Sequence, residues 1–300
     1  MSNKITIIGA GQVGSTVAYA LTLRQLASEI VIIDIIKEKA MGEAMDIRQG
    51  TPFIGPVYVH DGDYEDARDS DIVVFTSGVG RKPGQSRLDL TQTNVDITKS
   101  VIPLITKVAP NALYVIVANP VDILTYQFVK TSGIPENHIF GTGTMLDTAR
   151  FRARIAETYK IGATNVHGYV FGEHGDSSFV PWSLANIGSI PVDNFANSFT
   201  GNKLPAFDKN DVEDYIRKSG GIIINAKKFT NKYLYGEKII NGSVVSDPQI
   251  LVLASDLLVT DYSSIMVDFM ISKKPVLLYT PDLEEYKKDI QNQINNINKE

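Results

Sequence analysis

The stretch that decides the fold is ITIIGAGQVG, Ile5 to Gly14. Its apolar run Ile5–Ile8 predicts a buried strand, and G-x-G-x-x-G follows it directly, ahead of a segment with helical spacing. Gly9 permits the tight turn, Gly11 lets the backbone approach a pyrophosphate, and Gly14 lets helix and strand pack closely. The free N–H groups at the helix N-terminus then favour a phosphate. The stretch therefore predicts a dinucleotide site.

Asp34 supports this interpretation, since it ends the next apolar run, Ile30–Ile33, twenty residues after Gly14. A carboxylate at the end of the second strand accepts both ribose hydroxyls of a dinucleotide and repels a 2′-phosphate, so NAD is the expected cofactor. The alternative is that the glycines only form a tight strand–helix turn.

The wider pattern alternates short apolar runs with longer amphipathic segments. Further strands are predicted at Ile72–Thr76 and Leu113–Val117, and helices at Ser15–Leu26 and Lys37–Arg48. Alternation of this kind predicts an α/β fold, a Rossmann-type doubly wound parallel sheet, over residues 1–141. A long helix at Leu146–Tyr159 and a strand at Val166–Phe171 are expected next.

Composition excludes several classes of function. The chain has 300 residues, a net charge of -5 and no cysteine. The charge gives no indication of a nucleic-acid partner, and the missing cysteines exclude disulfides, a thiolate nucleophile and a zinc–thiolate site. A reducing cytoplasm is the expected location. No apolar run is long enough for membrane insertion, and no metal site is expected.

Three polar residues have the character of catalytic groups. His174 lies among glycines in GEHGDSS, in a predicted exposed loop, and a histidine suits proton transfer to a carbonyl oxygen. Asp147 and Arg150 lie three apart in LDTARFR and share a helical face. They form either an ordinary surface ion pair, or a carboxylate that orients the histidine beside a clamp for a substrate carboxylate. The basic loop GVGRKPGQSR, which ends at Arg87, is either a mobile lid or a solvated loop.

Residues 1–227 resemble the lactate/malate dehydrogenase family, and within it the bacterial lactate-type enzymes. The resemblance is carried by IGAGQVGSTVAYAL, GEAMDI, KPGQSRLDL, VANPVDILTY, GTGTMLDTARFR and NVHGYVFGEHGDSSFVPWS. It implies an NAD-dependent 2-hydroxy-acid dehydrogenase that interconverts pyruvate and lactate. It also implies a homo-oligomer, specifically a tetramer, and assigns residues 142–227 to a partial catalytic domain.

The resemblance implies a role for each matching residue. His174 is the proton donor and acceptor, Asp147 orients it, and Arg150 holds the substrate carboxylate. Arg87 polarises the reacting carbonyl, and Asn119, in VANP, lies beside that carbonyl and the nicotinamide.

Three positions bear on the expected specificity and regulation. Arg81 stands where lactate enzymes often have Gln and malate enzymes have Arg, which keeps oxaloacetate open as the substrate, whereas GEHGDSSFVPWS is lactate-type. Arg152 and His167 match positions that bind fructose 1,6-bisphosphate between subunits in bacterial lactate-type enzymes. The alternative is an ordinary surface arginine and a hydrogen-bonded histidine.

Residues 228–300 depart from the dehydrogenase pattern. DPQILVLASDLLVTDYSSIMVDFMISKKPVLLYTPDLEEY, Asp247 to Tyr286, resembles the C-terminal part of bacterial CDP-glycerol glycerophosphotransferases. A foreign Rossmann-like strand–helix–strand segment is expected, in which Ser263 and Ser264 either cap the helix or hold a diphosphate. No histidine follows His174, so the segment does not supply the transferase chemistry. The chain is expected to be a chimera. Three functions remain open for it: a dehydrogenase, a glycerophosphotransferase-like nucleotide-diphosphate binder, and an inactive chimera that still binds NAD.

Overall fold

The structure, a computed structural model, describes residues 3–80, 87–198, 208–227, 258–260 and 276–278. The chain divides into two compact units, residues 1–235 and 236–300. Six described strands of the first unit are Lys4–Ile8 (β1), Glu29–Ile33 (β2), Tyr58–Asp61 (β3), Ile72–Phe75 (β4), Leu113–Ile116 (β5) and Ile139–Gly141 (β6). They form one parallel sheet in the order β3-β2-β1-β4-β5-β6.

Helices connect these strands and continue beyond them. Their bounds are Gln12–Leu23 (α1), Lys37–Ile54 (α2), Arg87–Val108 (α3), Val121–Thr131 (α4), Met145–Tyr159 (α5), Val192–Ser198 (α6) and Lys209–Lys227 (α7). The strand order reverses between β1 and β4, so the sheet is doubly wound, as expected. In such a sheet ligands bind beside the carboxyl ends of the strands at this switch point.

The sheet is buried on both faces, which explains why its central strands read as continuous apolar runs. Ile8, Phe75 and Ile116 belong to the core on one face. Ile7 and Ile30 belong to the core on the other face. Neighbouring residues of one strand therefore serve opposite cores, as the alternation of side chains along a strand requires. The predicted strands β1, β2, β4 and β5 are confirmed.

Some boundaries differ from the expectation. The helix expected from Ser15 to Leu26 begins at Gln12 and ends at Leu23, because Gly11 is already its N-cap. The strand expected at Val166–Phe171 is shorter. Its first two residues form β7 (Val166–His167), which pairs with β8 (Asn186–Ile187), and β8 pairs with β9 (Ile190–Pro191). Pairing with β8 ends at His167, and the next residue, Gly168, packs so closely on Phe151 that a Cβ atom there would lie 2.5 Å from the ring.

The second unit contains two described strands, Leu258–Thr260 (β10) and Val276–Leu278 (β11). They pair in parallel, with Leu258 opposite Val276. The sequence predicts the two strands of this segment at Leu257–Thr260 and Pro275–Tyr279, and the described strands lie within both ranges. The expected helix between them, with Ser263 and Ser264, lies outside the described residues.

Candidate active site

The glycine turn after β1 is shaped by two glycines that tolerate no side chain. Gly9 has a φ of +107°, and a Cβ atom there would lie 2.8 Å from Thr76 Oγ1 and 2.9 Å from Ser77 N. A Cβ atom on Gly14 would overlap the carbonyl oxygen of Gly9. Helix α1 therefore packs directly against the turn, as the motif predicts.

Gly11 differs from the other two glycines, because among the described residues no atom beyond its chain neighbours lies within 4 Å of the Cβ atom it would carry. It is the N-cap of α1, and no side chain caps the first turn of this helix. Free N–H groups at a helix N-terminus, beside open space, suit a phosphate group. The turn therefore fits the pyrophosphate of NAD.

Asp34 is bound to the backbone around this turn. Its Oδ2 accepts a hydrogen bond from Ala10 N at 2.6 Å, and its Oδ1 accepts one from Ile36 N at 2.9 Å. A carboxylate accepts up to about four hydrogen bonds, so both oxygens retain capacity for ribose hydroxyls. Burial raises the pKa of the nearby Tyr64 hydroxyl, and the charge of Asp34 raises it further, so Tyr64 stays neutral. Asp34 thus also fits NAD.

The chemical centre is a cluster around Asp147, in the first turn of α5. The Asp147 side chain is 5% exposed, its Oδ2 lies 2.5 Å from His174 Nδ1, and its Oδ1 lies 2.9 Å from Arg150 Nη1. Since the carboxylate is buried and joins both groups, the interpretation of Asp147 and Arg150 as an ordinary surface ion pair is wrong.

Helix α5 is held in place by hydrogen bonds to the segment that leads to His174. Thr144 Oγ1 donates to Val170 O at 2.5 Å, and Val170 N donates to Thr148 Oγ1 at 2.9 Å. Phe171 and Phe179 pair through backbone hydrogen bonds of 2.9 and 3.0 Å and close the loop that carries His174. These bonds bring Asp147 and His174 together across 27 positions of sequence.

Asp122, in the first turn of α4, is a further partner of His174 that the sequence did not reveal. Its Oδ2 accepts a hydrogen bond from the backbone N–H of His174 at 2.9 Å, over a separation of 52 residues. An acidic residue in the first turn of a helix is commonplace, because it is favourable near the helix N-terminus, so no sequence signal distinguishes this one.

Arg150 keeps donor capacity beyond its bond to Asp147. Its Nε is buried and has no hydrogen-bond partner among the residues that the structure describes. Gly220 of α7 faces this guanidinium, since a Cβ atom there would lie 3.4 Å from Nη2. A buried guanidinium N–H without a partner is costly, and a carboxylate ligand would satisfy it.

Asn119 follows β5 and is joined to Pro120 by a cis peptide bond. Its carbonyl oxygen accepts a hydrogen bond from Asn94 Nδ2 at 2.8 Å. Asn94 is a buried residue of α3 that the sequence did not single out. Asn119 and Asp122 thus flank one short turn after β5, at the same carboxyl edge of the sheet as the glycine turn after β1, with β4 between the two strands.

The basic loop is described only at its two ends. Arg87 is the first residue of α3, the helix that follows β4 in the chain. Arg81 lies outside the described residues.

The two residues expected to bind a bisphosphate lie next to each other on the fold. His167 is exposed on β7, and Arg152 Nε of α5 donates to Gly168 O at 3.2 Å. The Arg152 guanidinium also stacks over the Tyr169 ring, 5.0 Å from its centroid. Arg152 is therefore anchored to the two residues that directly follow His167 in the chain.

A turn built for a pyrophosphate and a buried imidazole–carboxylate–guanidinium cluster are what a hydride-transferring enzyme for an acidic carbonyl compound requires. The fold and the site thus define the class of NAD-dependent 2-hydroxy-acid dehydrogenases. Sequence models of lactate/malate dehydrogenase match residues 3–141, as the NAD-binding domain, and residues 144–236, as the alpha/beta C-terminal domain. The chain belongs to the lactate/malate dehydrogenase family.

Individual relatives agree with this assignment. An L-lactate dehydrogenase of Clostridium perfringens is 48% identical over 230 residues, which cover 77% of this chain and 72% of that protein. The crystal structure of a minor L-lactate dehydrogenase from Enterococcus mundtii is 39% identical, with a TM-score of 0.71 over 77% of this chain and 73% of that one. The malate dehydrogenase of Picrophilus torridus is 35% identical, with a TM-score of 0.71 over 77% and 71% of the two chains.

The remainder of the chain matches another family. A model of CDP-glycerol:poly(glycerophosphate) glycerophosphotransferase matches residues 225–300. The two family matches overlap only over residues 225–236. Within the described part of the chain, no helix is both long and apolar enough to cross a membrane.

Proposed function

We propose that this protein is a lactate-type dehydrogenase that interconverts pyruvate and lactate, with His174, Asp147, Arg87 and Arg150 as its chemical residues. The observation that carries the proposal is the contact of 2.5 Å between His174 Nδ1 and Asp147 Oδ2. The lactate-type stretch around His174 and the many lactate dehydrogenase relatives favour pyruvate over oxaloacetate.

The contact with Asp147 decides which nitrogen of His174 handles the proton. An ionised carboxylate only accepts hydrogen bonds, so the hydrogen of the neutral imidazole belongs on Nδ1. Nε2 is then the atom that gives a proton to the carbonyl oxygen and takes one from the hydroxyl in the reverse direction. The buried Asp147 carboxylate stabilises the protonated ring.

The charges of the cluster suit an anionic substrate. With His174 protonated, the two cationic groups His174 and Arg150 both contact the Asp147 carboxylate, and a second carboxylate, that of Asp122, accepts the backbone N–H of His174. Arg150, through its buried Nε and remaining N–H groups, holds the substrate carboxylate. Arg87 polarises the carbonyl, and Asn119 lies beside it.

NAD is held by the turn of Gly9, Gly11 and Gly14, by Asp34, and by Asn119 at the nicotinamide end. When bound in its reduced form, the cofactor supplies the hydride that reduces the keto carbon. The chain contributes position and charge, which suffice for a large part of the rate acceleration in such a reaction.

The organisation of the chain is part of the proposal. Residues 1–141 bind the cofactor, residues 142–227 form a partial catalytic domain, and residues 228–300 are a glycerophosphotransferase-like segment joined to it. The division into units at residue 235 and the separate family matches support this chimera. An active dehydrogenase is favoured over an inactive chimera because the His174 cluster is intact.

We also propose a cytoplasmic homo-oligomer, a tetramer, that fructose 1,6-bisphosphate activates. Large apolar side chains exposed on α2, among them Met41, Met45 and Phe53, support an interface between copies. The neighbouring Arg152 and His167 support a bisphosphate site, since two cationic groups bind phosphates across a symmetric interface.

The test is NADH oxidation by the purified full chain, with pyruvate and oxaloacetate compared, each with and without fructose 1,6-bisphosphate. Turnover of pyruvate in preference to oxaloacetate is expected, with stimulation by the bisphosphate. His174→Ala is the matched control, because it should abolish turnover and leave NADH fluorescence titrations nearly unchanged. Bound NADH without turnover of either acid by the unmodified chain would refute an active dehydrogenase and favour the inactive chimera.

A further inference from the structure

Asn94 is a buried amide whose hydrogen-bonding capacity is used on the backbone of two other segments. It is 2% exposed. Its Oδ1 accepts a hydrogen bond from Val79 N at 2.9 Å, and its Nδ2 donates to Val79 O at 3.2 Å and to Asn119 O at 2.8 Å. The amide therefore joins helix α3 to the segments that follow β4 and β5.

The backbone groups that the Asn94 side chain bonds require both an acceptor and a donor at position 94. Val79 N needs an acceptor, whereas the carbonyl oxygens of Val79 and Asn119 need donors, and an amide of this length supplies both. An aliphatic residue would leave three backbone groups without their bonds. An aspartate would keep the acceptor but direct lone pairs at two carbonyl oxygens.

The position of Asn94 relates it to the reacting groups. Val79 and Asn119 follow neighbouring strands of the sheet, at the edge where the cofactor site lies. Asn119 is itself exposed, so burial does not hold its main chain in place. Gly78 passes close to the amide, since a Cβ atom there would lie 3.3 Å from Asn94 Oδ1.

The turn that Asn94 holds also reaches the acid–base residue. Three positions after Asn119, Asp122 accepts the backbone N–H of His174 at 2.9 Å. A shift of the turn at Asn119 would therefore move both the group beside the reacting carbonyl and the support of the imidazole.

We propose that Asn94 is a positioning residue for the dehydrogenase reaction: it fixes the backbone of Asn119 against Val79 and thereby sets the geometry of the carbonyl site. The inference rests on the proposed function. Loss of the amide should lower kcat per NADH-binding site by about tenfold to a hundredfold, because small misplacements of reacting groups have effects of this order. The KM for pyruvate and the dissociation constant of NADH should change far less, because Arg150 and the glycine turn are untouched.

The test compares Asn94→Ala and Asn94→Asp with Thr98→Val. Thr98 is a matched control, since it is fully buried one turn later in α3 and, among the described residues, its hydroxyl donates within that helix, to Asn94 O at 2.8 Å. Sites are counted by NADH titration, so that partial unfolding does not count as lost catalysis. Both Asn94 variants should lose kcat per site, and Thr98→Val should stay within about twofold of the unmodified chain. If both Asn94 variants keep the same kcat per site as Thr98→Val, the proposal is overturned.

A second measurement does not depend on turnover or on the variants folding. Amide hydrogen exchange of the unmodified chain should show Val79 N–H protected relative to its exposed neighbour Gly80, because it donates to a buried acceptor. Exchange of Val79 as fast as that of Gly80 would refute the Asn94 contact even if the chain reduces no acid. Protection of Val79 in a chain without turnover would refute the proposed function and leave the Asn94 contact standing.

Discussion

The carboxylate of Asp147 joins His174 to Arg150, with Oδ2 2.5 Å from the imidazole and Oδ1 2.9 Å from the guanidinium. One buried acid therefore orients both the imidazole and the guanidinium, which we propose as the proton donor and the substrate clamp. Asp147 and Arg150 lie one turn apart on α5, so the helix itself fixes their relative position. The position of His174 relative to them depends on how its loop packs against α5.

Asp147→Asn should keep the shape of this cluster and remove its charge. The amide has no charge to stabilise the protonated ring and can reverse the tautomer of His174, so kcat should fall by a factor on the order of 10² to 10⁴, the usual contribution of an acid–base group. Steady-state kinetics with pyruvate measure the loss. NADH titration is the control, since Asp34 and the glycine turn are unchanged. Full activity in Asp147→Asn would remove Asp147 from the proposed mechanism.

Asp122 should matter through its acceptor oxygen rather than its charge. Asp122→Ala leaves the backbone N–H of His174 without its partner, so kcat should fall about tenfold, whereas Asp122→Asn retains an acceptor and should recover most of the activity. The pair of variants, assayed with pyruvate at several pH values, separates the two roles. If Asn and Ala lower kcat equally, the carboxylate charge rather than the hydrogen bond is what His174 requires.

The sheet could be predicted from the sequence where both of its faces are buried. β1, β2, β4 and β5 are continuous apolar runs, and each was located within two residues of its ends. β3 was missed because it is half exposed and carries His60 and Asp61, and β6 because three residues give too short a pattern.

The site was predictable in its residue types and not in its contacts. Spacing placed Asp147 and Arg150 on one face of a helix, but their burial follows from packing that no local pattern records. His174 meets Asp147 across 27 positions and Asp122 across 52. The sequence did not indicate Asn94, because the pattern of a helical segment does not distinguish a buried asparagine from a solvated one.

Arg81→Gln tests the specificity expected from sequence at a position outside the described residues. If Arg81 pairs with a second carboxylate, the variant should lose oxaloacetate turnover and raise the ratio of kcat/KM for pyruvate to that for oxaloacetate by at least tenfold. Lys82, the next residue of the same loop, offers a control, since Lys82→Gln removes one positive charge as well. An unchanged ratio in Arg81→Gln would mean that this arginine does not distinguish the two acids.

Glu29 should make the free energy of unfolding depend on pH without affecting the catalytic cluster. It accepts from Lys4 Nζ at 2.9 Å and contacts His60 Nε2 at 3.1 Å. Burial raises the pKa of Glu29, but the hydrogen bonds from Lys4 and His60 outweigh it, so the folded pKa is lowered from 4.5. A depressed pKa stabilises the fold above the unfolded value and loses this effect as the pH falls through the folded one.

Glu29→Gln should therefore unfold at lower urea than the unmodified chain at pH 6, with a difference that narrows as the pH drops below 4.5. Urea denaturation at several pH values, followed by circular dichroism, measures it. A difference that stays constant down to pH 3.5 would mean that the charge of Glu29 contributes nothing. Pyruvate turnover at pH 7 should be the same in both chains.

The glycines separate cofactor binding from folding. Gly11→Ala adds a methyl group where no described atom beyond the chain neighbours lies within 4 Å, so the chain should fold and melt normally. NADH binding should weaken at least tenfold, because the methyl would occupy the position that we propose for the pyrophosphate. Gly14→Ala drives its methyl into the Gly9 carbonyl and should prevent the sheet from forming. Gly42→Ala, on the exposed face of α2, is the matched control and should stabilise the chain by up to about 1 kcal/mol. Thermal melts and NADH fluorescence titrations distinguish the three. Normal NADH affinity in Gly11→Ala would mean that the pyrophosphate binds elsewhere, because a methyl group at Gly11 would block the proposed position.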